Sequence, residues 1–527
     1  MHIAAALDKA ARLWPQKEAV AAGPIRLTYA AFRRRSLKLA HAFLENGLVP
    51  GDRVGLLDYN SPHFLEAYFA AAYAGLILTP LNFRLSGREL AFILEDSGSK
   101  LLLAHPDFAA KAAEALEQGR PPIKRIVWTQ AGAGSVAGIP GLAYETALDL
   151  AGDSALPRSP GGHEVAHLYY TSGTTGKPKG VMLTHDNVMS HALGTVAELH
   201  LTDADAWAHV APLFHLADAW ATYAITLVGG KHVIVPRFEP GEVLDLIREE
   251  GVSLSNMIPT MLNMLVNHPG AAEAEYPRLR YILSGGAPIA PETVRKIMET
   301  FRCEYVQTYG MTETSPYLTL SLLKDHLRGL PEDRRFWYQA RTGREFITVD
   351  LRVVREDGTD VAPDDREVGE IWVRGSSVTP GYWNRPEETA AAFQDGWLKT
   401  GDMAVIEPEG YVNIVDRKKD VIITGGENVY STEVEYVLYE HPDVLEAAVF
   451  GVPDPKWGEA VKAAVALKPG RTAAGEELIS FCRERLAHYK APKSIDFVNE
   501  LPKTGSGKIY KKGLKDPYWV GREKKVG

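Results

Sequence analysis

Cysteine is nearly absent from this chain of 527 residues: Cys303 and Cys482 stand far apart and in no CxxC pair. That excludes a disulfide framework and a cysteine-type structural zinc site, and it predicts a reducing compartment. Excess positive charge is also lacking, with 58 Lys and Arg against 67 Asp and Glu and a formal net charge of −9. Duplex nucleic acid draws its affinity mostly from phosphate neutralisation, so it is excluded as a main partner. There is no long hydrophobic run. The longest, 67–78, stops at Thr79-Pro80 and is too short to span a bilayer. The opening residues lack the basic-then-apolar pattern of a signal peptide, and the closing REKKVG is neither a peroxisomal nor a prenylation signal. Internal repeats and low-complexity tracts are missing as well. These absences predict a soluble, cytoplasmic protein with no integral membrane segment. The basic residues gathered in 503–525 leave transient contact with a membrane surface open, beside the plainer reading of a solvated tail.

What is present is ordinary globular material, 45% hydrophobic and 24% charged. At roughly 150 residues per domain the length predicts three to four folding units. RVGLLDY, RIVWTQ, HLYYTSG, HVIVPRF, SNMIPT, RYILSGG and EYVQTYG read as buried strands, alternating with helical spacing such as 241–250 and 291–301. Such alternation predicts α/β layers with parallel sheets. After about Arg344 short strands separated by Gly and Asp turns predict a smaller β-rich section. Beyond the charged stretch DRKKD, Thr432-Glu-Val-Glu435 matches a capping box and predicts a helix start, leading into a compact α+β unit of about a hundred residues. The fold class is therefore α/β: a large N-terminal domain of layered α/β subdomains with a β-rich section, then a small α+β C-terminal domain.

Four segments carry chemistry. Thr171, Ser172, Gly173, Thr174, Thr175, Gly176 and Lys177, continuing to Gly180, follow a strand and combine glycines, hydroxyls and ammonium groups. Glycines let backbone N–H groups close on an anion, so the segment suits a polyphosphate; a plain surface turn is the competing reading. It is not a Walker loop, because Gly173 and Gly176 are three apart and Pro178 follows the lysine. Next, Gln307, Thr308, Tyr309, Gly310, Met311, Thr312 and Glu313 end a strand where open α/β sheets bind ligands. Tyr309 offers a face for a base, Thr312 a hydroxyl for phosphate and Glu313 a hard oxygen for Mg²⁺. Asp402, in Thr400-Gly-Asp402, suits ribose hydroxyls, as does Arg417; both also suit a solvated turn. Lys508, in Pro502-Lys-Thr-Gly-Ser-Gly-Lys508, places an ammonium on a glycine-flanked loop, where a basic tail is the commoner case.

Taken together and in order, these segments resemble the adenylate-forming superfamily, which includes acyl-CoA synthetases, adenylation domains of peptide synthetases and firefly luciferase. The resemblance runs from Thr28-Tyr29 to Lys508 and includes Asp416-Arg-Lys-Lys-Asp420. Through Gly425-Gly-Glu-Asn428 and Tyr489-Lys-Ala-Pro-Lys493 the chain is most similar to medium- and long-chain fatty acyl-CoA ligases. The resemblance implies an ATP-dependent ligase that forms an acyl-adenylate, releases pyrophosphate and passes the acyl group to coenzyme A. It implies that the 171–177 loop holds the outer phosphates, that Thr171 and Glu313 stand by Mg²⁺, and that Tyr309 stacks on adenine beside Gly285, Gly286 and Ala287. It further implies that Asp402 and Arg417 bind ribose, that Lys508 is catalytic, and that His215 lies near the acyl group. Lys419 falls at the family's hinge, which implies an N-terminal domain over 1–416, a hinge over 417–419 and a mobile lid over 420–527. Rotation there would exchange Lys508 for Gly425, Gly426 and Glu427, which line the coenzyme A channel. Trp220 lies one residue further from His215 than the tryptophan that gates the acyl tunnel in some relatives, and is not assigned that role.

An aryl or short branched-chain carboxylate–CoA ligase shares every segment quoted and is the main alternative. An amino-acid-adenylating domain is disfavoured by His215 where an Asp is expected. A P-loop ATPase is disfavoured by the failed Walker spacing, and a non-catalytic binding protein by the presence of Lys508, Glu313 and Asp402. The expected partner is a small-molecule carboxylate, and a homodimer is left open.

Overall fold

The computed structural model describes residues 2–131, 134–156, 160–171, 178–286, 289, 291–503 and 509–520. The chain forms two compact units. The first comprises Met1–Pro288, Thr293–Asp350 and Arg374–Leu398, and the second Ile289–Glu292, Leu351–Val373 and Lys399–Gly527.

In the first unit, seven strands pair in the order Gly141–Ala143, Arg125–Trp128, Ser99–Ala104, Arg53–Leu57, Ile77–Pro80, Val165–Thr171 and Lys179–Thr184. Neighbours run parallel except the last pair, which is antiparallel. Runs such as LLLA and VGLL are apolar without a break because both faces of a parallel sheet are covered. The apolar run 67–78 resolves into the end of a helix, Pro62–Ala74, buried almost throughout, and the start of the strand Ile77–Pro80. Ser61 caps that helix by accepting the Phe64 N–H at 3.2 Å, and Gly75, at φ 67°, ends it.

A second sheet of this unit places Tyr317–Leu320, Glu304–Gly310, Tyr281–Gly285, Leu254–Asn256, Ala206–His209, Lys231–Ile234 and Glu18–Ala22 side by side. Its centre is parallel, and Tyr317–Leu320 joins Glu304–Gly310 antiparallel. The predicted helices occur as Pro240–Glu249 and Pro291–Phe301. No helix among the described residues is long and apolar enough to cross a membrane.

The strands Gly369–Gly375, Trp397–Ile406 and Tyr411–Arg417 are neighbours, and most of their residues belong to the second unit. A five-stranded sheet follows, in which Val444–Asp454 and Gly458–Leu467 form its longest, antiparallel pair. Val434, Leu438, Val449, Val465, Leu478 and Cys482 pack as its core. One expectation fails here. The helix Ser431–Tyr439 starts after Tyr430 without a side-chain cap, so Thr432 and Glu435 form no capping box. Both side chains are taken by tertiary partners: the Thr432 hydroxyl donates to the Val415 carbonyl, and Glu435 accepts the Val449 N–H at 2.6 Å.

Candidate active site

The Thr/Gly segment is flanked by the antiparallel strands Val165–Thr171 and Lys179–Thr184 at the edge of the seven-stranded sheet. Thr171 pairs with Lys179 across its base. Ser172, Gly173, Thr174, Thr175, Gly176 and Lys177 lie outside the described residues. The returning strand is clamped from one side by 379–383: Met182 N–H donates to Gly381 O at 3.0 Å and Trp383 N–H to Gly180 O at 2.8 Å. Lys179 is committed to this clamp, ion-paired with Glu388 and 5.2 Å from the centre of the Tyr382 ring.

The same segment holds the acidic turn. Glu313 lies in a short 3₁₀ turn, Thr312–Thr314, and is 7% exposed. Its carboxylate accepts the Tyr382 hydroxyl at 2.9 Å, and its carbonyl accepts the Thr379 N–H at 2.7 Å. Burial, reinforced by Glu313, pushes the Tyr382 phenol far up, so it remains a donor. A buried hard oxygen tied through Tyr382 to the base of a hydroxyl-rich segment fits Mg²⁺ carried in by a polyphosphate, which needs only one or two protein ligands. Tyr382 and Thr379 were not singled out from the sequence; the only local signal is their place on either side of Pro380-Gly381.

Tyr309, half-buried, stands opposite Thr319 in the strand pair that ends at Gly310. Thr308 gives its hydroxyl to Ser284 O at 3.1 Å, and a Cβ on Gly285 would meet that hydroxyl oxygen at 2.3 Å. Only glycine therefore lets these strands close into a flat wall, the shape a purine face needs. Gln307 completes it, its N–H bonded to the Ser321 hydroxyl at 2.8 Å and its side-chain oxygen receiving the Tyr305 hydroxyl. Met311 and Thr312 follow directly, and Gly286 turns at φ 83°; Ala287 lies outside the described residues.

His215 precedes the helix Leu216–Val228 and is partly exposed. The turn before it is fixed by Asn60, whose side-chain oxygen accepts the Leu213 N–H at 2.7 Å, and by Tyr68, which donates to Leu213 O at 2.8 Å. Trp220, one turn further, is buried against Trp207 with ring centres 4.8 Å apart.

In the second unit the paired strands bring Asp402 opposite Arg417, with Nε 3.1 Å from Oδ1. Asp402 is buried, while the Arg417 side chain is 56% exposed. Lys419 is exposed in the turn that follows, beside Lys418, which pairs with Glu370 at 3.0 Å. Gly425, Gly426 and Glu427 form the exposed end of the hairpin joining Ile422–Thr424 to Glu427–Val429. Gly425 gives its N–H to Trp457 O at 2.8 Å, and a Cβ there would meet the Trp457 ring at 2.9 Å, so a narrow backbone approach is built in. Lys508 lies outside the described residues; its flanks, Lys503 and Ile509, pair as a bridge.

Comparison with known proteins gives the family. A profile described as "AMP-binding enzyme" matches residues 7–383, and one described as "AMP-binding enzyme C-terminal domain" matches 433–508. The chain is 40% identical over 508 residues to a feruloyl-CoA synthase of Amycolatopsis, covering 95% of this chain and 96% of the relative. It is 36% identical over 494 residues to a long-chain-fatty-acid–CoA ligase of Mycobacterium tuberculosis, covering 94% and 93%. Among solved structures, the O-succinylbenzoate coenzyme A synthetase of Bacillus subtilis in complex with AMP superposes with a TM-score of 0.83 at 30% identity, over 99% of each chain.

Proposed function

This chain belongs to the AMP-binding enzyme family as an AMP-forming acid–CoA ligase, and from that premise we propose which residues hold ATP, which acid is activated and how the half-reactions are shared. The enzyme uses ATP, Mg²⁺ and coenzyme A. Thr171 and the loop 172–177 hold the outer phosphates, and Glu313 and Thr171 receive Mg²⁺. Thr312 meets the α-phosphate. Tyr309 stacks on adenine against the Gly285-Gly286-Ala287 wall, and Asp402 with Arg417 takes the ribose. Mg²⁺, when bound, offsets phosphate charge.

In the first half-reaction a carboxylate oxygen bonds to the α-phosphorus as its bond to the pyrophosphate oxygen breaks. Lys508 meets the charge that gathers there; removing one such contact typically costs ~10²–10³ in rate. In the second, the sulfur of coenzyme A bonds to the acyl carbon as the bond to AMP breaks, and the thiol proton is released. We assign 1–416 to nucleotide and acid, 417–419 with Lys419 to a hinge, and 420–527 to a lid that delivers first Lys508, then Gly425, Gly426 and Glu427.

A medium- or long-chain fatty acid is the first reading of the substrate, supported by Gly425–Asn428, Tyr489–Lys493 and the likeness to the mycobacterial ligase. An aryl acid is the second, favoured by the ring cluster of Trp207, Trp220 and Tyr317 beside the His215 helix and by the likeness to feruloyl-CoA synthase. The observation that carries the ligase reading is Glu313 held by Tyr382 at the foot of the Thr/Gly segment. Carboxylate-dependent AMP release with coenzyme A, across acids from acetate to palmitate with benzoates and cinnamates, tests it. Release of ADP, or no dependence on any acid, would refute it.

A further inference from the structure

Thr171 and His215 belong to different sheets. Thr171 ends a strand of the seven-stranded sheet, whereas His215 ends a turn that follows Ala206–His209 in the second sheet. The His215 N–H closes that turn by donating to Pro212 O at 2.9 Å. One such bond leaves the direction of the turn open, and side chains from outside it set that direction. Leu213, buried in the middle of the turn, has both backbone groups held in this way. Its N–H donates to Asn60 Oδ1 at 2.7 Å, and its carbonyl accepts the Tyr68 hydroxyl at 2.8 Å. Asn60 Nδ2 grips the stretch just before, donating at 2.9 Å to His209 O and at 2.9 Å to Ala211 O.

Tyr68 also meets Tyr169, hydroxyl to hydroxyl, at 2.6 Å. A phenol has one proton, and the Leu213 carbonyl can only accept. Tyr68 therefore gives its proton to Leu213 and receives that of Tyr169. Burial pushes both phenols up, so both protons stay in place. The chain runs one way, from Tyr169 through Tyr68 to Leu213. Tyr169 lies two residues before Thr171, and strand residues two apart share a face. Leu213 lies two residues before His215. The helix beyond His215 is bound to the same strand separately, with the Tyr223 hydroxyl 2.8 Å from His167 Nε2. Strand and helix are thus fixed without Tyr68, and the turn between them is what Tyr68 holds.

We propose that Tyr68, with Asn60, is a positioning residue for adenylation: by tying the His215 turn to the Thr171 strand, it sets where the carboxylate of the acid stands relative to the α-phosphorus. Both side chains are buried and act through the backbone of Leu213. The inference rests on the reading that Thr171 meets the phosphates and His215 the acyl group of an acid–CoA ligase. Attack needs the reacting atoms in near-contact and in line, and a misplacement of about 1 Å costs ~10²-fold in rate.

The test uses the full-length enzyme and its best acid. Exchange of pyrophosphate with ATP measures adenylation. Thioester formation from supplied acyl-adenylate measures the second step, in which the outer phosphates take no part. Tyr68→Phe should lower kcat for exchange by about tenfold or more with KM for ATP and acid unchanged, and should largely spare thioester formation. Tyr169→Phe leaves Tyr68 on Leu213 but cuts the chain from the strand, so it should show the same split. The double variant should lose no more than Tyr68→Phe alone, because both act through one chain. Tyr29→Phe removes the bond of another fully buried phenol, to Gly230 O in the same unit, and should lower Tm while leaving both half-reactions unchanged. Should Tyr68→Phe not fold, Tyr169→Phe carries the same test alone. A lowered Tm with kcat for exchange unchanged, a loss carried by KM, equal losses in both half-reactions, or additive losses in the double variant would overturn the proposal. A wild-type enzyme that exchanges pyrophosphate with no acid would instead overturn the ligase reading, and this proposal with it.

Discussion

One phenolic hydroxyl joins the acidic turn to the strand that returns from the Thr/Gly loop. Tyr382 donates to Glu313 at 2.9 Å across 69 residues of sequence. A hydrogen bond to a charged group contributes about 1.5–3 kcal/mol, and here it orients the oxygen assigned to Mg²⁺. Tyr382→Phe should therefore raise the Mg²⁺ concentration for half-maximal adenylation by about tenfold or more, measured by acid-dependent pyrophosphate exchange with ATP. An unchanged Mg²⁺ dependence with only a lowered Tm would make Tyr382 a brace of the fold and nothing more. Glu313 was legible in the sequence because a Thr-Glu pair closing a strand is a local pattern. Tyr382 was not, because its relation to Glu313 exists only after the chain has returned from far away.

Elements show the same division. Strands such as Arg53–Leu57 and Glu304–Gly310 were readable because a sheet covered on both faces writes itself as an apolar run. Asp402 and Arg417 were readable as candidates, but their pairing came from adjacent strands in register. Thr432 and Glu435 misled, because the Val415 carbonyl takes the Thr432 hydroxyl and a buried ion network takes Glu435. Lys511 lies 2.7 Å from Glu435 and donates to the Ser431 hydroxyl at 2.7 Å, while Asp416 accepts the Ser431 N–H at 2.5 Å. Burial alone would lower the Lys511 ammonium, but Glu435 and Asp416 outweigh it and lift it above its ordinary range. Burial raises both carboxyls, and Lys511 counters it. Lys511→Met would strand two buried carboxylates, and removing one partner of a buried pair costs about 3–5 kcal/mol. Denaturant midpoints should show a loss of that order at pH 8, shrinking toward pH 5 as the carboxyls take up protons, with Lys511→Arg much milder. A uniform small loss at both pH values would show that the network contributes little.

Across the whole molecule, buried histidines set the response to acid. Burial lowers His63 and His185 to about 4, and His167 and His191 to about 3. It carries His232 well below its ordinary value. A histidine held neutral in the fold binds its proton only on unfolding, so its stabilisation is present above pH 6.5 and is lost as pH falls toward the folded value. Buried carboxyls act in the opposite sense. Burial raises Asp58 to about 7, so it holds a proton in the fold that the unfolded chain releases, and burial shifts Glu66 and Asp218 in the same direction. Their contribution is present in acid and lost as pH rises through the folded value. The five lowered histidines take up protons on unfolding below pH 6.5, and the raised carboxyls, Asp416 and Glu435 among them, offset part of that uptake; each net proton is worth about 1.4 kcal/mol per pH unit. Stability should therefore fall from pH 6 to pH 5, and Tm with it. Calorimetry at pH 5.5 in two buffers of unlike ionisation enthalpy measures the uptake directly. Zero uptake, or release, would mean that the histidines are charged in the fold. All five lie in the first unit, with His191 against Trp220 and Tyr317, so the acid transition should begin there and take acyl-acid discrimination with it before the second unit unfolds.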